Sequence, residues 1–83
     1  MATAHKMIFT HVIKSKVKKF RYIGITNNIN RRIFEHNNGK NKSTKAYTPF
    51  DLVLKEEYHN YPEARVREKF LKSGKGREFL DKI

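Results

Sequence analysis

Three short segments carry strand patterns, the first a dense apolar run and the other two alternating, and spacings of three or four residues follow the second and the third. Met7 to Ile13, MIFTHVI, is dense in β-branched and apolar types and predicts a strand. Phe20 to Ile25, FRYIGI, sets Phe20, Tyr22 and Gly24 against Arg21, Ile23 and Ile25, which predicts a second. The basic connection from Lys14 to Lys19 is short enough to close the two into an antiparallel hairpin. Phe50 to Tyr58, FDLVLKEEY, begins with alternation and predicts a third strand. Residues 1–6 precede the pattern and are expected to form a flexible N-terminus.

Helical spacing follows the second and third strands. Asn27 or Asn28 supplies an N-cap for a helix running to about Asn38, where Gly39 stops it. A polar loop, GKNKSTKAYTP, leads to the third strand. Asn60 caps another helix with Pro62 in its first turn, ending near Ser73-Gly74, and GREFLDKI predicts a short last one. The order ββαβαα implies one α/β domain of the α+β type, a small three-stranded sheet flanked by helices and spanning the 83 residues.

A chain this short sits near the lower end of what one apolar core can stabilise, and with no cysteine it has neither disulfides nor a thiolate zinc site to help. No segment approaches the ~18 apolar residues of a spanning helix. The opening residues carry no secretory pattern, and no amphipathic helix with a continuous apolar face suggests membrane binding. An intracellular protein, cytoplasmic or nucleoid-associated, is expected. Nineteen Lys and Arg against eight Asp and Glu give a formal charge of +11, a field that attracts polyanions and nucleic acid above all. Charge by itself does not separate an enzyme from a binding module or a basic ribosome-associated protein.

Position on the helices adds chemistry. At about 100° per residue, Ile29 and Ile33 mark the buried side of the first helix. Arg32 and His36, four apart, fall on the border of that stripe, whereas Arg31 and Glu35 point to water. Singly, Arg32 is a snorkelling side chain and His36 a half-buried histidine bonded to backbone. Together they set a permanent cation beside a group that titrates near neutrality, a pairing that suits phosphate chemistry. On the second helix Tyr61, Ala64, Glu68 and Leu71 share a stripe. Glu68 is an acid on a mostly apolar face, placed for an ion pair with Lys72 or Arg65 or for a hard cation that takes oxygen donors.

Tyr22-Ile23-Gly24, Arg32 eight residues after the glycine, His36 one turn later, and the downstream ARVREKFLKSGKGREFL closely resemble the GIY-YIG nuclease superfamily, in particular its small stand-alone members. The resemblance covers Ile8 to Leu80. It implies a divalent-metal-dependent endonuclease that hydrolyses phosphodiester bonds in DNA on a small sheet flanked by helices. Matched residue by residue, Tyr22 corresponds to the tyrosine of the second motif, Arg32 to the catalytic arginine, His36 to the histidine after it and Glu68 to the ligand of a single Mg²⁺ or Mn²⁺. Gly24 corresponds to the glycine that lets backbones approach closely. His11 stands where the first-motif tyrosine belongs. An imidazole, with a reference pKa near 6.5, is the easier base at neutral pH. The substitution preserves activity, alters it, or marks a chain that only binds nucleic acid, and a strand histidine facing solvent is the plain alternative. The general base stays open among Tyr22, His11 and His36.

The remaining charge is expected to hold the nucleic-acid backbone through Lys40, Lys42 and Lys45 in the polar loop and Lys72, Lys75 and Arg77 after the second helix. No base-reading element is evident, so little intrinsic sequence specificity is expected, with selectivity drawn from DNA structure, such as branches, or from a protein partner.

Overall fold

The computed structural model describes residues 7–83; the expected flexible N-terminus, residues 1–6, lies outside the described residues. β1 (Ile8–Ser15) and β2 (Arg21–Thr26) form the expected antiparallel hairpin, and β3 (Phe50–Tyr58) pairs antiparallel with the other edge of β1. The sheet order is therefore β2-β1-β3, with the most apolar strand in the middle. Ser15 anchors the hairpin end. Its Oγ accepts from the backbone N–H groups of Val17 and Lys18 and donates to the carbonyl oxygen of Tyr47 at 2.6 Å.

α1 (Ile29–Asn37) begins where Asn28 accepts a hydrogen bond from the Arg31 N–H, and it ends at Gly39, whose φ of 68° few side chains tolerate. Asn37 fastens the helix to β3, its Oδ1 accepting from the Phe50 N–H at 2.7 Å. The polar loop that follows has structure of its own: a 3-10 turn (Lys45–Tyr47) stacks Tyr47 on Phe20 with ring centroids 3.9 Å apart. Asn60 caps α2 (Tyr61–Lys72), with Pro62 in the first turn. Ser73 closes α2 and also caps α3 (Gly74–Asp81), so the last helix starts two residues before GREFLDKI. Gly76 permits the corner, because a Cβ there would run into the Phe70 carbonyl oxygen and the Leu71 backbone.

The faces of the sheet are covered unequally. α2 and α3 cover one, burying Val12, Leu71 and Leu80 with Ile23, Leu54 and Phe79 around them. Thr10 satisfies its hydroxyl on that side by donating to the Ala64 carbonyl at 2.8 Å. α1 lies across the other face. A bulge in the β1–β3 pairing, between Val12 and Ile13, pairs Ile13 with Leu52 and Val12 with Leu54. Leu52 and Leu54 thereby face opposite sides despite their even spacing, a break that simple alternation does not reveal.

Candidate functional site

On the α1 face β1 places His11 directly opposite Gly24 of β2. A Cβ on Gly24 would lie 2.9 Å from His11 Cε1 and 3.0 Å from Tyr22 Cε1. The glycine therefore makes room for two ring side chains, where close backbone approach was expected. His11 is fully buried, which excludes the solvent-facing strand histidine.

α1 supplies the rest of the cluster. His36 is fully buried and is the only buried residue of that helix, so the buried stripe is centred nearer His36 than on Ile29 and Ile33. Its ring centroid is 4.7 Å from that of Tyr22 and 6.5 Å from that of His11. Arg32, one turn earlier and half-buried, sets Nη1 3.4 Å from Glu35 Oε1. Glu35 is half-buried too, drawn in by that pair instead of pointing to water.

A residue of the polar loop completes the arrangement. Thr44, fully buried, sets its Oγ1 2.8 Å from His36 Nδ1. The same hydroxyl lies 3.4 Å from the Asn41 carbonyl, to which it can donate; in the tautomer where it accepts from His36 Nδ1–H, a lone pair is left on Nε2. Thr44 was not among the residues expected from sequence. Its one signal is a hydroxyl eight residues beyond the histidine, in a loop that looks uniformly solvated.

Three buried nitrogens, His11 Nδ1, His11 Nε2 and His36 Nε2, have no hydrogen-bond partner among the described residues. Each such group costs on the order of 1–3 kcal/mol, so their concentration in one cluster points to chemistry instead of stability. The charge states agree. Burial, then His36 and Arg32, push the His11 pKa down to about 4. Burial and then Arg32 lower that of His36, with Glu35 opposing. Both rings are neutral near pH 7, and Arg32 is the cluster's permanent cation. The idea that an imidazole at position 11 is the easier base is corrected accordingly, since its environment makes it a weaker base than free histidine.

Glu68 approaches from elsewhere. α2 lies on the opposite face of the sheet, where Arg67 binds Glu56 of β3 at 2.8 Å. Glu68 has a side chain 17% exposed and sets Oε2 3.1 Å from the Nζ of Lys72, a residue that lines a hollow with Arg21, Tyr22 and Ile23 of β2. Among the described residues no group of three or more His, Cys, Asp or Glu gathers to hold a metal. One carboxylate of this kind suits an ion that keeps most of its ligands as water, as Mg²⁺ does, and not a closed protein cage. The structure thus brings Tyr22, His11, His36 and Arg32 together, and ties Glu68 to the hollow beside β2 only through Lys72.

The cations expected to bind nucleic acid divide among three places. Lys40 and Lys42 line a shallow hollow of about 340 Å³ with Arg32. Lys72 and Arg77 line a larger one of about 690 Å³ that Tyr22 also walls, joined there by Lys14, Lys19 and Arg21, which were expected only as connection and strand. Lys45 lays its stem over Gly39, and Lys75 is exposed and lines neither hollow.

A ββαβαα sheet-and-helix domain with tyrosine, arginine and histidine converging on one face is the framework of a nuclease-type module. A family model described as the GIY-YIG catalytic domain matches residues 7–80, and the chain belongs to that family. Membership implies nuclease-type activity on a nucleic-acid substrate. The chain is 39% identical over 67 residues to a UPF0213 protein of Clostridium perfringens, covering 80% of this chain and 71% of that one. It is 36% identical over 66 residues to a UPF0213 protein of Staphylococcus epidermidis, covering 78% and 79%. With UPF0213 protein YazA of Bacillus subtilis it shares 35% identity over 65 residues, covering 77% of this chain and 65% of that protein. No solved structure matches the chain.

Proposed function

We propose that the protein is a divalent-metal-dependent endonuclease that hydrolyses phosphodiester bonds in DNA with little sequence preference. The observation that carries this reading is the packing of Tyr22 against two buried imidazoles, with Arg32 close enough to act electrostatically on both and with three imidazole nitrogens unpartnered among the described residues.

In hydrolysis a water oxygen bonds to phosphorus, a phosphorus–oxygen ester bond breaks, and negative charge builds on the non-bridging oxygens. Arg32 offers those oxygens a planar, always-charged fork. His36, held by Thr44 with its Nε2 lone pair inside the cluster, takes a proton from the Tyr22 hydroxyl or from water. Burial is the largest cause of both depressions and Arg32 a lesser one; a phosphate seated at Arg32 offsets that lesser part. Glu68 would hold the Mg²⁺ or Mn²⁺, and such an ion, when bound, would supply positive charge for phosphoryl chemistry. Divalent metal is general in this family, and the half-buried carboxylate is the hard donor such an ion takes.

The test is nicking of plasmid DNA with Mg²⁺ or Mn²⁺ by the natural protein, Arg32→Ala and Glu68→Gln. Both variants are expected to lose at least about a hundredfold in rate, in the range of lost charge-stabilising donors. Equal cleavage by all three proteins would overturn the assignment.

The low basicity of His11 favours a second reading, a catalytically impaired nucleic-acid-binding module on the same scaffold. It requires salt-sensitive binding without turnover in any divalent ion, and no change on neutralising Glu68. His11→Tyr separates the two. Activity gained from an inactive parent supports the binding module; activity lost from an active parent makes His11 a working group.

A further inference from the structure

The two cationic hollows share no lining residue, yet each includes one member of the same cluster. Arg32 walls the smaller, with Lys40 and Lys42 beside it. Tyr22 walls the larger, among Lys14, Lys19, Arg21, Lys72 and Arg77. His36 joins them, its ring against Tyr22 and its charge state set partly by Arg32. The cluster is thus the seam between two basic depressions.

Their walls differ in chemistry. The smaller is polar throughout, with Glu35 and Asn41 completing it, and at about 340 Å³ it suits a phosphate and its sugar. The larger adds Phe20, Ile23 and Leu80 to its cations, and about 690 Å³ is within the range of small-molecule sites. Two of its cations already have partners: Arg21 binds Asp81 at 2.8 Å and Lys72 binds Glu68. Lys14, Lys19 and Arg77 form no ion pair among the described residues. A double helix offers such a surface only phosphates and grooves, because its bases are stacked and paired. An unstacked nucleoside offers an apolar ring for the wall and a phosphate for the cations, as single-strand-binding surfaces use.

Building on the nuclease reading, we propose that the protein grips one unpaired DNA strand on both sides of the reacting phosphate. One flank lies along Arg32, Lys40 and Lys42, and an unstacked nucleotide occupies the hollow walled by Tyr22, Lys14 and Arg77. The substrate class is then DNA that is single-stranded at the cut, as at a flap, fork or frayed junction.

Binding measured in chelator, without cleavage, tests this apart from catalysis. Fluorescence anisotropy of the full chain is compared on a single-stranded 12-mer and on the blunt duplex of the same sequence at one salt concentration. The single strand is expected to bind at least about tenfold more tightly. Lys14→Glu/Arg77→Glu and Lys40→Glu/Lys42→Glu are each expected to weaken single-strand binding at least tenfold and to flatten its salt dependence, by about 1.4 in log–log slope for two lost phosphate contacts. All four side chains are exposed, and circular dichroism checks that the fold is kept. Amide shifts on adding a dinucleotide should centre on Tyr22, Ile23 and Leu80. Equal or tighter duplex binding, a loss confined to one pair of substitutions, or shifts centred elsewhere overturns the two-sided grip. Those results leave the nicking comparison of Arg32→Ala untouched, so the two readings fail separately.

Discussion

The two faces of the β2-β1-β3 sheet are made from the same three strands and buried to opposite ends. Under α2 and α3, Val12, Leu71 and Leu80 form an apolar core in which the one buried hydroxyl, that of Thr10, is satisfied by Ala64. Under α1, the same strands bury two imidazoles with three unsatisfied nitrogens, against a glycine that carries no side chain. The α1 face adds apolar burial of its own in Ile13 and Phe50, and it also carries the costly imidazole nitrogens. The lesson is that stability and chemistry are separated by the thickness of one sheet, and substitutions on the two faces should dissociate the two properties.

The sharpest break comes from the apolar side. Leu71→Ala removes a fully buried side chain and should cost about 2–5 kcal/mol, read as a lower midpoint in urea. The folded fraction should nick DNA at the natural rate. A matching loss of turnover per folded molecule would show that the faces are not independent.

Next comes pH. The His11 pKa is about 4 in the folded protein and about 6.5 in the unfolded chain, so between those values the unfolded state binds the extra proton. Stability contributed by keeping this ring neutral is fully present above about pH 6.5 and falls toward pH 4, by roughly 3 kcal/mol for this group alone. His11→Leu, close in volume, should remove most of that slope and leave stability at pH 7 unchanged or raised by about 1–3 kcal/mol, because unsatisfied polar atoms leave the interior. A slope unchanged in the variant would assign the titration to other groups.

Gly24→Ala sharpens the contrast from the backbone side. With the new methyl 2.9 Å from His11 and 3.0 Å from Tyr22, both rings must move, at a cost of about 1–3 kcal/mol. Combining it with His11→Ala should recover part of that loss, a coupling that a double-mutant cycle measures. The smallest effect is expected at Thr44. Thr44→Val should cost about 1 kcal/mol and release the His36 tautomer, visible in imidazole nitrogen shifts, whereas Thr44→Ser should restore both.

Much of this organisation was legible in the chain. β3 runs from Phe50 to Tyr58 as alternation predicts, Asn28 and Asn60 cap the helices, and the hairpin forms where a short basic connection requires it. Local rules decide those features, so local sequence reveals them. The pairing of Arg32 with His36 was legible as a helical spacing, and Tyr22 was joined to them by the family resemblance. Features fixed by partners across the sheet were not. Glu35 is drawn inward by Arg32, the bulge re-aims Leu52 and Leu54, and the depth of His36 depends on a threonine from the following loop. The depressed pKa of His11 likewise depends on burial and on two groups from a different element, which no strand pattern encodes. Lys14, Lys19 and Arg21 escaped notice because a basic hairpin resembles any solvated turn until α3 closes over it.

Ser15 has a mechanical consequence. Through a single oxygen it fastens the bend at Val17 and Lys18 to the carbonyl of Tyr47, the residue that ends the turn begun by Lys45. The bend that leads to Lys19 and Phe20 of the larger depression is therefore riveted to the turn that closes the loop carrying Lys40 and Lys42 of the smaller. Removing that hydroxyl would leave every charge in place and the two segments held by the Phe20–Tyr47 stack and the hydrogen bond from the Lys16 N–H to the Pro49 carbonyl.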